Sequence, residues 1–381
     1  MSEAPAGRPS ARVRAGQSLR MAAAAGLLGL LQACASPAGP AAFTVGDAHY
    51  RRAHTADLPG WSRDPVHEVL PALERSCRRL ATLPANTAFG PPEFGLTTGD
   101  WRSVCAESAR LARTRAGQAE VRTFLENNFT VWQIASTDGP DGLFTGYYEA
   151  VLDVSETPAP GYTVPVLGLP AGWERTGTGR PRRAEIEDGA LSGTAPVLLW
   201  ARDPVELFFT QIQGSGIARL PNGQQVRIGY AGDNGHPFVG IGRIMNERGL
   251  GNGNSMPAIR AWLTAHPDQA RELMRENPRY IFFRRVSGEG PVGAQGVPLE
   301  PLRSLAVDRR HVPLGSLMWI ETRDGNGRSL QRLALAQDTG GAIKGPVRVD
   351  VFWGSGESAL FHAGGMKSGG RAWLLLPAVR S

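Results

Sequence analysis

The stretch that most constrains the fold of this 381-residue chain is Leu333–Trp353, LALAQDTGGAIKGPVRVDVFW. It reads as strand, glycine-rich turn, strand. Asp338 closes the first strand, and Thr339, Gly340 and Gly341 make the turn, where glycine reaches backbone angles closed to other residues. The second strand alternates: Val347, Val349 and Val351 face one way, Arg348, Asp350 and Phe352 the other. A carboxylate in mid-strand among apolar neighbours is an unusual thing to build. A third aspartate, Asp308, lies upstream in SLAVDRRHVPLGSLMWIET. Three aspartates tied to short β segments and glycine turns form the most informative pattern in the chain.

The length suggests two domains with room for a sizeable core. With 48 Gly and 29 Pro the chain suits a turn-rich β protein and falls short of low-complexity disorder. The N-terminus reads as a targeting segment over residues 1–33. Arg8, Arg12, Arg14 and Arg20 give a positive region, and Met21–Leu31 is apolar but too short to span a bilayer as a helix. Ala33 before Cys34 looks like a lipoprotein processing site, which would place lipid on Cys34; an ordinary secretory signal is the alternative. The leader carries about half of the formal net charge of +6, so the remainder is only mildly basic, which argues against nucleic acid as the main partner. In an oxidising compartment Cys77 and Cys105 form either a disulfide or two separately buried thiols.

Residues 34–44, rich in Pro, Gly and Ala, read as a flexible tether. Helices are expected over Asp64–Leu83, Trp101–Thr114 and Ala119–Asn127. From Phe129 short strands take over. VLLWARDPVELFFTQIQGSG is read as strand, turn, strand. Asn222-Gly223 marks a hairpin, helices return at Phe238–Arg248 and Met256–Glu276, and Tyr280–Phe283 is a strand. A second hairpin turn at Asp324–Gly327 leads into the strand that delivers Asp338. From pattern alone the fold is mostly β with helices, in two domains.

AVDRRHVPLGSLMWIE followed by AQDTGGAIKGPVRVDVF resembles the domain named for its three aspartates. FTGYYEA, FFTQIQGSG and NPRYIFF precede it in the expected order. Together, over about Gly142 to Trp373, they resemble the membrane-bound lytic murein transglycosylase A family. The resemblance implies a double-psi β-barrel domain, residues 45–144 plus 276–381, interrupted by a smaller inserted glycan-binding β domain, 145–275, with a groove between them. It implies a peptidoglycan lytic exotransglycosylase, a lyase without metal or organic cofactor, lipid-anchored at the periplasmic face of the outer membrane. The implied partners are peptidoglycan glycan strands and the membrane. No motif identifies a protein partner in a cell-wall enzyme complex.

The chemistry fits a single carboxyl. Desolvation raises a carboxyl's pKa and keeps it protonated near neutral pH, ready to act as a general acid. Ordinary glycoside hydrolysis needs two carboxylates. An intramolecular hydroxyl attack needs no activated water and no enzyme nucleophile. Asp350 is the expected acid and base; a structural role in a turn is the alternative. Asp338 either accepts turn amides or tunes Asp350. Asp308, before Arg309 and Arg310, reads as a structural ion pair or turn anchor. The resemblance gives Thr145, Gly146 and Tyr147, then Gln211, Gln213, Gly214 and Ser215, as glycan contacts, with Tyr230 and Asn234 as weaker ones. Strand alternation sends only one of Tyr147 and Tyr148 towards the groove, and Tyr147 is the choice. Gln211 and Gln213 are expected to share a strand face. Lys344 either positions substrate or is a solvated loop residue.

Other chemistries have less support. The seven histidines show no paired metal spacing, no GxSxG nucleophile elbow is present, and neither Cys77 nor Cys105 has a CxxC partner. Asp338-Thr339-Gly340 resembles an aspartic-protease triplet, but that chemistry needs two such aspartates sharing a proton. A glycan-binding lipoprotein that no longer cleaves is the remaining alternative.

Overall fold

The computed structural model describes residues 41–378 other than Thr176 and Glu289. The leader, Cys34 and most of the tether lie outside the described residues. The end of the expected tether does not behave as one: Ala42–Val45 is a strand paired antiparallel with Ala48–Ala53, because Phe43 stacks on Tyr50 and has an apolar surface to cover. Among the described residues no helix is long and apolar enough to cross a membrane.

The organising element is one strand of 14 residues, Gly142–Ser155, well beyond the common length of about 5–6. Its first half pairs in parallel with Arg348–Ser355. From there the pairing runs antiparallel to Ser304–Val307, parallel to Ser329–Asp338, antiparallel to Leu317–Arg323, and antiparallel to Lys367–Pro377. Lys367–Gly370 then pairs antiparallel with Gly142–Thr145 and returns to the start. Six strands therefore close a ring. Phe144, Leu305, Val307, Val349 and Val351 are buried in its core. The alternation read in the sequence holds: Val349 and Val351 are core, while Arg348 and Asp350 are part-exposed.

Phe129–Ser136 and Ala48–Ala53 extend the sheet from Lys367–Pro377. Helices Leu70–Ala81 and Arg102–Arg113 pack beside it and are joined by the Cys77–Cys105 disulfide. The helix expected from Asp64 starts at Leu70, because Asp64 is used elsewhere. Its buried carboxylate takes two hydrogen bonds from Arg303, one from Arg332 and one from the Leu333 amide, which pins the approach to the helix against the ring.

The second half of the long strand enters a separate core of Leu152, Val154, Leu199, Ile228 and Phe283. There it pairs in parallel with Ser215–Arg219 and antiparallel with Val197–Ala201. Gln225–Asp233 and Ile281–Val286 extend this sheet on one side, and Val164–Leu167 pairs with Val197–Ala201 on the other. A boundary at 275 is therefore too early, since Ile281–Val286 belongs to the second core.

Two elements differ from the sequence pattern. Pro204–Gln213 is a helix where a strand was expected. Asp203 caps it by accepting the Val205 amide, Pro204 occupies the first turn, and Gly214 ends it with φ +80°. Those caps outweigh the β-prone Phe208-Phe209-Thr210. Met256–Glu276 is two helices, Met256–Ala265 and Pro267–Arg275, because Pro267 begins a new helix rather than continuing the old one.

Candidate active site

The strand pairings place five residues in one transverse row on the outer face of the ring. Asp338 is opposite Ala306, Ala306 opposite Asp350, Asp350 opposite Thr145, and Thr145 opposite Lys367. Paired residues project to the same side of a sheet, so the row delivers two carboxylates, a hydroxyl and an ammonium to one surface. Tyr147 and Phe352 form the next pair along and touch, ring centroids 5.3 Å apart.

Asp350 accepts a 2.7 Å hydrogen bond from the Thr145 hydroxyl on Oδ1. Oδ2 has no hydrogen-bond partner among the described residues. Arg348 Nη1 donates in turn to Thr145 Oγ1 at 3.0 Å. Burial pushes the Asp350 carboxyl above the usual carboxylate range, and the Thr145 bond and the Arg348 charge offset only part of that.

Asp338 is held by more donors. Oδ1 accepts the amides of Thr339 and Ala294, and Oδ2 accepts the Tyr147 hydroxyl at 3.1 Å. Burial still dominates and, with a smaller push from the Asp350 charge, raises its pKa to about 6. Asp338 thus accepts a turn amide and also lies within electrostatic reach of Asp350. Tyr147, not Tyr148, is the tyrosine on this side; the Tyr148 hydroxyl accepts from Arg260 instead. Burial first, then the two carboxylates, push the Tyr147 phenol well up, so it remains a donor.

Asp308 shares no hydrogen bond with these groups among the described residues. Burial raises its proton affinity, but bonds from Arg310 and from the Gly345 amide outweigh that and hold it well below the usual range. It anchors the loop that carries Lys344, itself exposed.

The other expected glycan contacts separate. Gln211 is buried: Oε1 accepts from Arg183 and Nε2 donates to the Ile281 carbonyl. On a helix it does not share a face with Gln213, whose Oε1 accepts the Tyr148 amide at 3.0 Å. Gly214 is the helix cap, and Ser215 opens the next strand. Gly146 is a packing residue, since an added Cβ would lie 2.6 Å from Trp353 Nε1 and 2.8 Å from the Ala363 Cα. Tyr230 bonds Asp233, and Asn234 bonds the Pro181 and Pro278 carbonyls, both as local scaffolding. No short-range pattern points to the Ala294 amide on Asp338 or to the Thr145 hydroxyl on Asp350. Among the described residues no group of three His, Cys, Asp or Glu side chains is placed to hold a metal ion.

Two family models match: the MltA specific insert domain over residues 143–284 and the 3D domain over residues 303–376. The membrane-bound lytic murein transglycosylase A of Vibrio cholerae is 35% identical over 243 residues, covering 61% of this chain and 65% of that protein. The Escherichia coli protein of the same name is 34% identical over 275 residues, covering 69% of this chain and 73% of its own length. The crystal structure of MltA from Neisseria gonorrhoeae, monoclinic form, superposes with a TM-score of 0.74 at 34% identity, covering 90% of this chain and 96% of that one. Identity at this level over most of both partners, together with a shared mixed α/β fold, makes this chain a member of the membrane-bound lytic murein transglycosylase A family.

Proposed function

We propose that the protein cleaves the β-1,4 bond between N-acetylmuramic acid and N-acetylglucosamine in peptidoglycan without adding water, leaving 1,6-anhydromuramic ends. Asp350 gives its proton to the glycosidic oxygen as the C1–O bond breaks. The muramic 6-hydroxyl closes on C1, and the Asp350 carboxylate takes the proton that this hydroxyl loses. No water or enzyme nucleophile enters, and the attacking group is held by the sugar itself.

One observation carries this reading. Asp350 keeps one oxygen fixed by Thr145 and the other without a hydrogen-bond partner among the described residues, on a carboxyl whose proton affinity burial has raised. A general acid needs that combination of a fixed orientation, a free protonated oxygen and a pKa moved towards the working pH. Asp338 then acts as a positioning residue that orients Tyr147 beside Asp350.

The six-stranded ring, with two parallel pairs among antiparallel ones, supports its assignment as a double-psi β-barrel. The second core is the inserted domain, and the glycan runs in a groove between the two, past Thr145, Tyr147, Gln213, Ser215 and Lys344. Lipidation at Cys34 anchors the enzyme at the periplasmic face of the outer membrane.

The deciding experiment is digestion of purified sacculi by the full chain and by Asp350→Asn, with mass spectrometry of the sugar ends. Anhydro ends from the natural protein, reduced at least a thousandfold in the variant, are expected; anhydro ends from both would place the acid elsewhere. A second reading has its own support: Asp338 and Asp350 flank Ala306, about two strand spacings or 10 Å apart at the backbone, and both carboxyls have raised pKa values. Two such carboxyls on either side of a bond suit inverting hydrolysis. Reducing ends in the same assay would select it.

A further inference from the structure

Lys367 ends the transverse row, opposite Thr145 and two strands from Asp350. It is exposed, and its ammonium has no hydrogen-bond or ion-pair partner among the described residues. Among 41 basic residues in the chain only two are lysine, Lys344 and Lys367. Lys344 lies on the loop after Asp338, and Lys367 closes the row beside Thr145. A lysine differs from an arginine in offering a compact charge on a flexible stem.

The surroundings of Lys367 extend the point. Leu143, next to it across the ladder, is 39% exposed although apolar. Arg348 pairs with Leu143 from the other side. Its Nη1 is committed to the Leu143 and Val349 carbonyls and Thr145 Oγ1, whereas Nε and Nη2 have no hydrogen-bond partner among the described residues. The third residue of this patch, Gly369, leaves open space where a side chain would stand. Two cations with unused donors and an exposed leucine thus border an uncovered patch beside the acid.

We propose that Lys367, with Arg348 and Leu143, is a carboxylate-binding subsite that reads the acidic lactyl arm of the sugar held at Asp350. This rests on the glycan-cleaving reading above and deepens it. The lactyl ether of muramic acid carries a methyl group and a carboxyl. The methyl meets Leu143, and the carboxylate accepts from Lys367 and Arg348. In peptide-free glycan the carboxylate is the lactyl group's own; where that group is amide-linked, it belongs to the stem peptide. A neutral N-acetylglucosamine oligomer offers neither.

The test is equilibrium binding to the full chain, carried on Asp350→Asn so that the glycan stays intact. Three ligands of equal length are compared: an N-acetylglucosamine oligomer, a peptide-free alternating muramic oligomer, and the same oligomer with stem peptides. Charge-assisted bonds of this kind predict a preference of roughly tenfold for acidic over neutral glycan. That preference should disappear in Lys367→Gln, persist in Lys367→Arg and shrink with added salt. Preference for the peptide-free oligomer identifies the lactyl carboxylate, and preference only for the peptide-bearing one identifies the stem. A Lys367→Gln protein that keeps the preference, or that loses affinity equally for all three ligands, overturns the subsite. Because binding is read without turnover, failure to release anhydro ends from sacculi would sink the reaction and leave this result standing.

Discussion

Thr145 and Asp350, 205 residues apart in sequence, sit opposite each other on parallel strands, and the threonine hydroxyl donates to the carboxyl at 2.7 Å. This bond works against the burial that raises the Asp350 proton affinity, because a donor stabilises the ionised form. The bond therefore limits how far burial raises the Asp350 carboxyl while keeping it oriented.

Thr145→Val removes the donor at nearly constant volume. The Asp350 pKa should rise further, so the basic limb of the pH–rate profile for anhydro-end release moves up. The maximum rate should fall, since the carboxyl loses its orientation. Thr145→Ser should restore the position of the limb. An unmoved limb in Thr145→Val would mean that the bond does not tune the acid.

Asp338 makes a stability prediction whose sign follows from its pKa, raised from 3.8 to about 6. The folded state binds this proton more tightly than the unfolded chain does. Its favourable contribution is present below about pH 4 and is lost as pH rises through about 6. Asp338→Asn removes the charge while keeping an oxygen for the Thr339 and Ala294 amides. The variant should be more stable than the natural protein at pH 7.5, by an order of 1–2 kcal/mol, with the gap closing by pH 4. Denaturant midpoints at the two pH values check this, and a gap that widens on acidification would contradict it.

The local parts of this site were legible in the chain, and its long-range parts were not. Alternation in VRVDVF placed Asp350 opposite to Val349 and Val351 because a strand's period of two is a local property. The same alternation in FTGYY separates Tyr147 from Tyr148, and the Tyr147 hydroxyl bonds Asp338. The Ala294 amide on Asp338 and the Thr145 hydroxyl on Asp350 depend on which strands pair, and no short-range signal specifies that pairing. The Gln211 and Gln213 error had a different origin. Asp203-Pro204 before the apolar run and Gly214 after it are helix start and stop signals, and they were visible. The aromatic, β-prone Phe208-Phe209-Thr210 reads as strand, and a strand puts on one face two glutamines that the helix turns apart.

Gly146 tests whether the TGYY glycine is there for sugar or for packing. Gly146→Ala drives a methyl into Trp353 and into the backbone at Ala363, and backbone cannot swing aside as a side chain end can. The helix Gly356–Gly364 must lift from the long strand, at a cost of about 1–3 kcal/mol. A lower melting temperature, with weaker protection of amides 356–364 in hydrogen exchange, is expected. Unchanged stability with weakened glycan affinity would restore the contact role.

The Cys77–Cys105 bridge joins two helices over a sequence separation of 28. In the chain-entropy model a loop of that size contributes about 3–4 kcal/mol through the unfolded state. Replacing both cysteines by alanine should shift the denaturant midpoint accordingly while leaving the pH–rate profile of anhydro-end release in place, because neither cysteine touches the carboxylate row. A displaced profile would show that these helices feed into the site.

Glu149 decides how firmly the two cores are coupled. It lies on the same strand as Thr145 and Tyr147, is fully buried, and accepts Arg227 Nε at 2.7 Å, Arg227 Nη2 at 3.1 Å and the Ser355 hydroxyl at 2.7 Å. Ser355 ends the Asp350 strand, and Arg227 belongs to the sheet of the second core. One carboxylate therefore ties the Asp350 strand to the second core. Glu149→Ala leaves both donors without their acceptor, and losing one partner of a buried pair costs about 3–5 kcal/mol. Arg227 keeps some contact with solvent, so the lower end of that range is expected. A double-mutant cycle with Arg227→Met isolates the pair, and a coupling above about 1 kcal/mol is expected for a buried bidentate contact. A coupling near zero would mean that the continuous backbone of the long strand, and not this carboxylate, joins the second core to the ring.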